Sequence, residues 1–225
     1  MPDLACRQAG GQRVYNLKFM QNYRSNITPT WCPGCHNYLV FAAIQKNFSD
    51  LNIDIHNLVI NYDIGCSGNF ADFLKTYGFH TLHGRSIATA MGEKITNPNL
   101  FVCVIGGDGG IYGEGLNHLV SAVRSNINIK VFVANNFLYS LTTGQTSPTT
   151  PKGSRTKSTP TGNINVPINP VKLLKAINPD VFVESVDNRD MVKLNDTLKR
   201  ALEFPGFALV DMIQECVAFG KQLSS

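Results

Sequence analysis

Short apolar runs alternate along the chain with segments of helical periodicity, and this alternation limits the fold more than any other feature. Five runs of six or seven residues have the length and composition of buried strands. They cover residues 57–63, 100–106, 129–135, 181–186 and 207–212. Apolar side chains recur at helical spacing in residues 36–48, 111–124 and 191–202. Strands separated by helices run parallel, and the sheet they form is covered on both faces. The sequence therefore predicts an α/β fold with a mostly parallel sheet and helices on both faces.

Composition and charge exclude several classes of protein. Of the 225 residues, 43% are hydrophobic and 16% are charged, so the chain is neither a disordered polyelectrolyte nor a collagen-like repeat. The net charge of +4 comes from scattered Lys and Arg residues, so we expect no nucleic-acid partner. No apolar stretch approaches the roughly 18 residues of a membrane span, and the first residues do not resemble an export signal. We expect a cytoplasmic, single-domain protein with no membrane partner.

A pair of cysteines, Cys32 and Cys35, stands in the stretch Trp-Cys-Pro-Gly-Cys-His. This spacing occurs in thioredoxin-type redox motifs, in c-type haem attachment sites and in halves of zinc or iron–sulfur sites, and two buried cysteines are the structural alternative. Haem attachment requires export, and the polar residues before the pair do not form the strand that a thioredoxin motif follows. A zinc or cluster site needs two more thiolates, for which Cys66 and Cys216 are candidates because each follows a predicted strand. Cys103 lies within a predicted strand and fits a core position.

A Gly-rich turn, Gly107-Asp108-Gly109, closes one predicted strand and opens a predicted helix. Such a turn suits a phosphate group, but this one is neither a Gly-x-Gly-x-x-Gly motif nor a P-loop. Asn136 follows one helix and one strand later, so we expect it beside Asp108 at the carboxyl ends of neighbouring parallel strands. A carboxylate and an amide oxygen suit Mg²⁺, which completes its coordination with water and ligand phosphates. These residues predict a Mg²⁺–diphosphate site.

Residues 142–170 interrupt the alternation because they are rich in Thr, Ser, Pro and Gly and contain no aromatic side chain. A stretch of this kind is either a disordered linker between two domains or a functional loop. Since it closely follows Asn136, we favour a functional loop near the diphosphate.

Together, the motifs resemble those of the beta subunits of 2-oxoacid:ferredoxin oxidoreductases, and the similarity runs from about residue 26 to residue 219. In order, the motifs are the Cys32/Cys35 stretch, Gly65-Cys66-Ser67, residues 76–85, Gly107-Asp108-Gly109, Asn135-Asn136 and residues 141–149. The resemblance implies a thiamine diphosphate-binding fold of the diphosphate-binding type. It also implies one domain over residues 26–219, with an N-terminal extension of residues 1–25 and a tail of residues 220–225.

The resemblance further implies three cofactors: thiamine diphosphate, Mg²⁺ and one [4Fe–4S] cluster. The implied cluster ligands are Cys32, Cys35, Cys66 and Cys216. The implied Mg²⁺ ligands are Asp108, Asn136 and the backbone carbonyl of Leu138. The other implied coenzyme contacts are Ser67, His83, Gly107 and Gly109. No catalytic residue is assigned, but His83 and Arg85 are candidates because they precede a predicted helix and could face the diphosphate or the substrate.

The implied reaction is the oxidative decarboxylation of a 2-oxoacid to acyl-CoA and CO₂, with single electrons passing through the cluster to ferredoxin. The motifs favour 2-oxoglutarate as the substrate, with pyruvate next, although Thr143 stands where relatives of the 2-oxoglutarate type often carry a basic residue. The pyrimidine-binding domain would come from an alpha, or alpha plus gamma, subunit. The alternatives are a cluster-free thiamine diphosphate-dependent decarboxylase or synthase subunit, and a non-catalytic interaction module stabilised by a metal.

Overall fold

A computed structural model describes residues 22–224, which contain a parallel six-stranded sheet flanked by helices. The strands are β1 (Leu58–Tyr62), β2 (Tyr77–His80), β3 (Phe101–Gly107), β4 (Lys130–Asn135), β5 (Leu138–Tyr139), β6 (Gln145–Thr146), β7 (Phe182–Asp187) and β8 (Ala208–Ile213). The α-helices are α1 (Asn37–Asp50), α2 (Gly65–Gly68), α3 (Phe70–Phe73), α4 (Ser86–Thr96), α5 (Leu116–Ser125), α6 (Pro170–Ile177) and α7 (Met191–Glu203). A π-helix spans Gly109–Glu114 and a 3₁₀-helix spans Gly220–Ser224. Most of the expected N-terminal extension, with Cys6, lies outside the described residues.

The strand order is β2-β1-β3-β4-β8-β7, and every neighbouring pair is parallel. The short strands β5 and β6 form a separate antiparallel pair. All five strands predicted from apolar runs are present, with ends that differ by no more than one residue. The prediction of a mostly parallel α/β sheet is confirmed. Among residues 22–224, no helix combines the length and the apolar character that crossing a bilayer requires.

Alternate residues of each central strand supply two separate cores. In β3, Cys103 and Ile105 pack on the face covered by α1 and α7. Val102 and Val104 point to the opposite face, which α4, α5 and α6 cover. Each buried Val or Ile stabilises the fold by about 1.5–3 kcal/mol relative to an exposed side chain. Two cores on one sheet explain why the strands read as continuous apolar runs, and they confirm helices on both faces.

Two elements differ from the sequence prediction. The edge strand β2 was not predicted, because its four residues are all exposed and form no apolar run. The helix predicted over residues 111–124 is in fact two helices, the π-helix and α5, which meet at Gly115. The N–H of Gly115 donates to the carbonyl of Gly110 at 2.8 Å, five residues back. A Cβ at position 115 would lie 2.8 Å from that oxygen, so the break requires glycine.

The segment 142–170 is an ordered loop and not a linker between domains, because the strands on either side of it belong to the same sheet. Its hydroxyl groups bond to one another: Oγ1 of Thr146 lies 2.6 Å from Oγ1 of Thr156 and 2.8 Å from that of Thr159. The Asn163 amide donates to the carbonyl of Thr150 at 2.9 Å. This internal network takes the place of an apolar core and accounts for the Thr- and Ser-rich composition.

Candidate active site

The carboxyl ends of the central strands border a cavity of about 310 Å³. The strand order reverses between β1 and β3, and parallel sheets bind ligands outside the carboxyl ends at such a reversal. The cavity brings together all seven residues expected to contact the coenzyme or Mg²⁺. These are Ser67, His83, Gly107, Asp108, Gly109, Asn136 and Leu138. Cys66 lines the same cavity.

Asp108 supplies a buried carboxylate directly after β3, at the residue that precedes the π-helix. Burial raises its pKa to about 6, although hydrogen bonds from the hydroxyl groups of Ser147 and Thr149 oppose that shift. The Thr149 hydroxyl donates to Oδ2 of Asp108 at 2.7 Å. The segment 142–170 thus folds back on this carboxylate. The sequence predicted only that the segment lies near the diphosphate.

Asn136 and Leu138 reach the cavity through a tight turn after β4. The backbone N–H of Leu138 donates to Oδ1 of Asn136 at 3.1 Å. Phe137, between them, has a φ of +63°, which is uncommon for a bulky residue. This backbone reversal lets two residues of one short stretch line the cavity with Asp108.

The glycines of the turn are required by close packing. A Cβ at position 109 would lie 2.2 Å from Cε1 of Tyr139, and a Cβ at position 110 would lie 2.1 Å from Oδ1 of Asp63. Neither contact is tolerable, so no other residue fits either position without displacing its neighbour. The sequence argument explained these glycines by the approach of a phosphate, whereas the structure shows that protein atoms already occupy the space.

Asp63 was not predicted as a site residue, yet it organises one side of the cavity from the end of β1. It is fully buried. Its Oδ1 accepts from the backbone N–H of Ile64 at 2.9 Å and of Gly84 at 3.3 Å, and its Oδ2 accepts from the hydroxyl of Ser86 at 2.7 Å. These bonds tie the start of α4 to β1 and so position the adjacent His83. A carboxylate as the last residue of a mostly apolar predicted strand was the signal that could have identified it.

Two serines offer hydroxyl groups to the cavity. The Ser67 hydroxyl bonds to the carbonyl of Ile64 at a long 3.4 Å. The Ser140 hydroxyl is buried and has no hydrogen-bond partner among the described residues. A buried hydroxyl without a partner is unfavourable unless a ligand or water satisfies it. Ser140 was not predicted, because nothing in its local sequence indicates burial.

The two candidates of the 76–85 motif occupy different places. His83 lines the cavity, as does His80 from the end of β2. Arg85 does not line it, and its guanidinium Nη1 instead lies 2.5 Å from Nε2 of His118 in an exposed position. The structure therefore places Arg85 as a surface residue at the start of α4.

The four cysteines expected to bind the cluster approach one another in the folded chain. Burial, together with the neighbouring thiols of Cys35, Cys216 and Cys32, raises the pKa of Cys66 to about 11. Burial likewise raises the pKa of Cys35, with Cys32 and Cys216 adding to the effect. All four are free thiols. Cys103 is also free, but it is fully buried within β3, as expected for a core residue.

In the arrangement seen here, no three His, Cys, Asp or Glu side chains of residues 22–224 form a group that could hold a metal ion. Trp31 anchors the first pair: its Nε1 donates to the carbonyl of Cys66 at 2.7 Å, and its ring packs against Phe70 and Phe73. The segment before Cys32 is thus fastened to the segment that carries Cys66.

Comparison with known proteins connects this geometry to a family. Residues 63–212 match the family model described as thiamine pyrophosphate enzyme, C-terminal TPP binding domain. Over 198 residues the chain is 40% identical to 2-oxoacid:ferredoxin oxidoreductase 1, subunit beta, of Aeropyrum pernix, covering 88% of this chain and 62% of that one. The chain belongs to the 2-oxoacid:ferredoxin oxidoreductase beta-subunit family. The resemblance drawn from the motifs is confirmed.

Two further relatives carry 2-oxoglutarate in their names. This chain is 39% identical over 199 residues to 2-oxoglutarate oxidoreductase subunit KorB of Mycobacterium tuberculosis, and the match covers 88% of this chain and 53% of that one. A solved structure of 2-oxoglutarate:ferredoxin oxidoreductase from Magnetococcus marinus superposes with a TM-score of 0.85 at 32% identity, covering 88% of this chain and 67% of that one. The chain spans 53% to 62% of the length of the first relatives it matches.

The residues present suit the cofactors that the family implies. The cavity combines a buried carboxylate (Asp108), an amide side chain (Asn136) and a hydroxyl without a hydrogen-bond partner in residues 22–224 (Ser140), which are groups that bind Mg²⁺ and phosphate oxygens. The four free thiols provide the donor set of an iron–sulfur cluster.

Proposed function

We propose that this chain is the beta subunit of a 2-oxoacid:ferredoxin oxidoreductase that converts a 2-oxoacid, with 2-oxoglutarate favoured and pyruvate next, into acyl-CoA and CO₂. The observation that carries the proposal is that one cavity is lined by Asp108 and Asn136 and also by Cys66. A diphosphate site and a thiol cluster that share a cavity wall allow electrons to leave the reacting centre directly.

In this proposal, Asp108, Asn136 and the carbonyl of Leu138 hold Mg²⁺, and the hydroxyl groups of Ser67 and Ser140 bind the coenzyme. When bound, thiamine diphosphate supplies an electron sink for the carbon that loses CO₂. The segment 142–170 keeps water from the Mg²⁺ carboxylate, which is 1% exposed. His83, which lines the same cavity, is placed to contact the diphosphate or the substrate.

Cys32, Cys35, Cys66 and Cys216 would hold a [4Fe–4S] cluster that accepts two electrons one at a time and passes them to ferredoxin. The balanced reaction consumes the 2-oxoacid, coenzyme A and two oxidised ferredoxins, and it yields acyl-CoA, CO₂, two reduced ferredoxins and a proton. The raised pKa of Cys66 favours its protonated form, so cluster assembly must displace a proton there.

A partner subunit is part of the proposal. The described chain provides one diphosphate-binding sheet, and relatives are named as beta subunits. We propose that an alpha, or alpha plus gamma, subunit supplies the pyrimidine-binding domain. The isolated chain is then expected to bind its cofactors without turning over substrate.

The decisive experiment is anaerobic purification of the chain together with its partner subunits, followed by metal analysis and viologen reduction. We expect a brown complex with about four irons per beta chain and coenzyme A-dependent viologen reduction with 2-oxoglutarate. Asp108→Asn is expected to abolish coenzyme binding while the iron stays, with the exposed Asp54→Asn as the matched control. A colourless complex that decarboxylates 2-oxoacids would support the cluster-free alternative. About one zinc and no turnover would support the interaction module.

A further inference from the structure

Three buried amide side chains join the segments that carry the cysteines, and we call them the amide bridge: Asn37, Gln214 and Asn188. Asn37 begins α1, just after Cys35. Gln214 follows β8, just before Cys216. These side chains are 1%, 6% and 0% exposed. They come from three distant parts of the sequence, so only the tertiary structure brings them into contact.

The hydrogen bonds of the bridge are continuous. The Asn188 amide donates to Oε1 of Gln214 at 2.9 Å. The Gln214 amide in turn donates to Oδ1 of Asn37 at 2.9 Å. The Asn37 amide donates to the carbonyl of Cys66 at 3.4 Å, the same carbonyl that accepts from Trp31. Gln214, in the segment of Cys216, is therefore hydrogen-bonded through Asn37 to the segments of Cys35 and Cys66.

The bridge stands between two spaces. Asn37 and Gln214 line the coenzyme cavity together with Cys66. Gln214 also lines a neighbouring cavity of about 280 Å³, whose wall includes Cys216. Gln214 therefore lies between the coenzyme cavity and the space beside Cys216.

We propose that Asn37 and Gln214 are positioning residues that hold the three cysteine segments closed around the cluster and keep water from entering between it and the coenzyme. This inference rests on the proposed function. Removing the central amide leaves a buried acceptor on Asn37 and a buried donor on Asn188 without partners, which favours opening of the segments roughly tenfold. Added water stabilises the reduced cluster more than the oxidised one, because the reduced form carries more negative charge.

The test compares Gln214→Leu with the wild type in the complete complex. We expect a chelator to bleach the brown colour about tenfold faster and the cluster's midpoint potential, followed by electron paramagnetic resonance, to become more positive. Gln214→Glu keeps the length of the side chain and an oxygen facing Asn188 but loses the N–H donated to Asn37. It is expected to speed bleaching in the same way while disturbing packing less, but its carboxylate opposes the additional negative charge of the reduced cluster, so the midpoint potential is expected to become more negative.

Asn47→Leu is the matched control. Asn47 is a buried amide in α1, the helix that begins with Asn37, and its side chain donates to Oδ1 of Asn195 at 2.9 Å. It is expected to lower thermal stability without altering bleaching or potential. Wild-type values in both Gln214 variants, or equal changes in Asn47→Leu, would overturn the inference. A wild-type complex without iron would instead refute the proposed cluster, so the two failures are distinguishable.

Discussion

Replacing Gly109 by alanine tests the packing of the Gly-Asp-Gly turn. The new Cβ would lie 2.2, 2.6 and 2.8 Å from three atoms of the Tyr139 ring, which has no flexible end to move aside. Overpacking of this kind costs about 1–3 kcal/mol. In a chain of this length each kcal/mol lowers the melting temperature by roughly 2–4 °C. Because Asp108 directly precedes the clash, we also expect weaker binding of Mg²⁺-thiamine diphosphate, about 5- to 150-fold if the whole strain falls on the site.

The assay is thermal unfolding of the full chain and coenzyme titration of the complex. Gly92→Ala is the matched control, since a Cβ there meets nothing within 4 Å and lies in the middle of α4. It should leave binding unchanged and raise stability by up to about 1 kcal/mol. Tyr139→Ala should rescue much of the Gly109→Ala defect. If the defect is the same with and without the tyrosine ring, or if Gly109→Ala behaves like wild type, the packing argument is wrong.

Three further predictions concern single side chains. Thr149→Val removes the hydroxyl that donates to Asp108. Because hydrogen bonds to charged groups are strong, coenzyme binding measured by titration should weaken about tenfold. Thr149→Ser keeps the hydroxyl and should bind the coenzyme as the wild type does. Burial lowers the pKa of Lys130 to about 8 from 10.5, so the unfolded chain binds more protons between these values. That side chain therefore contributes a rise in unfolding free energy from pH 8 to pH 10, and Lys130→Met should remove this contribution in denaturant titrations. Arg85→Ala should leave coenzyme affinity unchanged while His83→Ala lowers it, and equal losses would contradict the placement of the two residues.

The positions of five strands along the chain, though not their order in the sheet, were accessible from the sequence because a strand buried on both faces must be apolar throughout. The edge strand β2 was not predicted, because one side of it has no neighbour in the sheet and its side chains are exposed. The π-helix was not predicted, because the local sequence around Gly115 fits a continuous amphipathic helix. In both cases, contacts with distant residues determine the local conformation.

Only part of the candidate site could be predicted from the sequence, because contacts with distant residues determine the rest. Asp108 and Asn136 follow buried strands, so the parallel topology alone places them at one edge of the sheet. Asp63, Ser140 and Thr149 acquire their surroundings only when the segment 142–170 and the start of α4 fold against the strand ends. No periodicity marks such residues beforehand.

By itself, the sequence determined the parallel α/β sheet, the family and the positions of the thiols along the chain, because apolar runs, turn glycines and cysteine spacing are local properties. The tertiary structure decided which side chains share the cavity and that Arg85 stays outside it. It alone revealed the amide bridge, whose members are far apart in sequence. Hydrogen bonds between buried polar groups depend on distances that only the packed sheet defines.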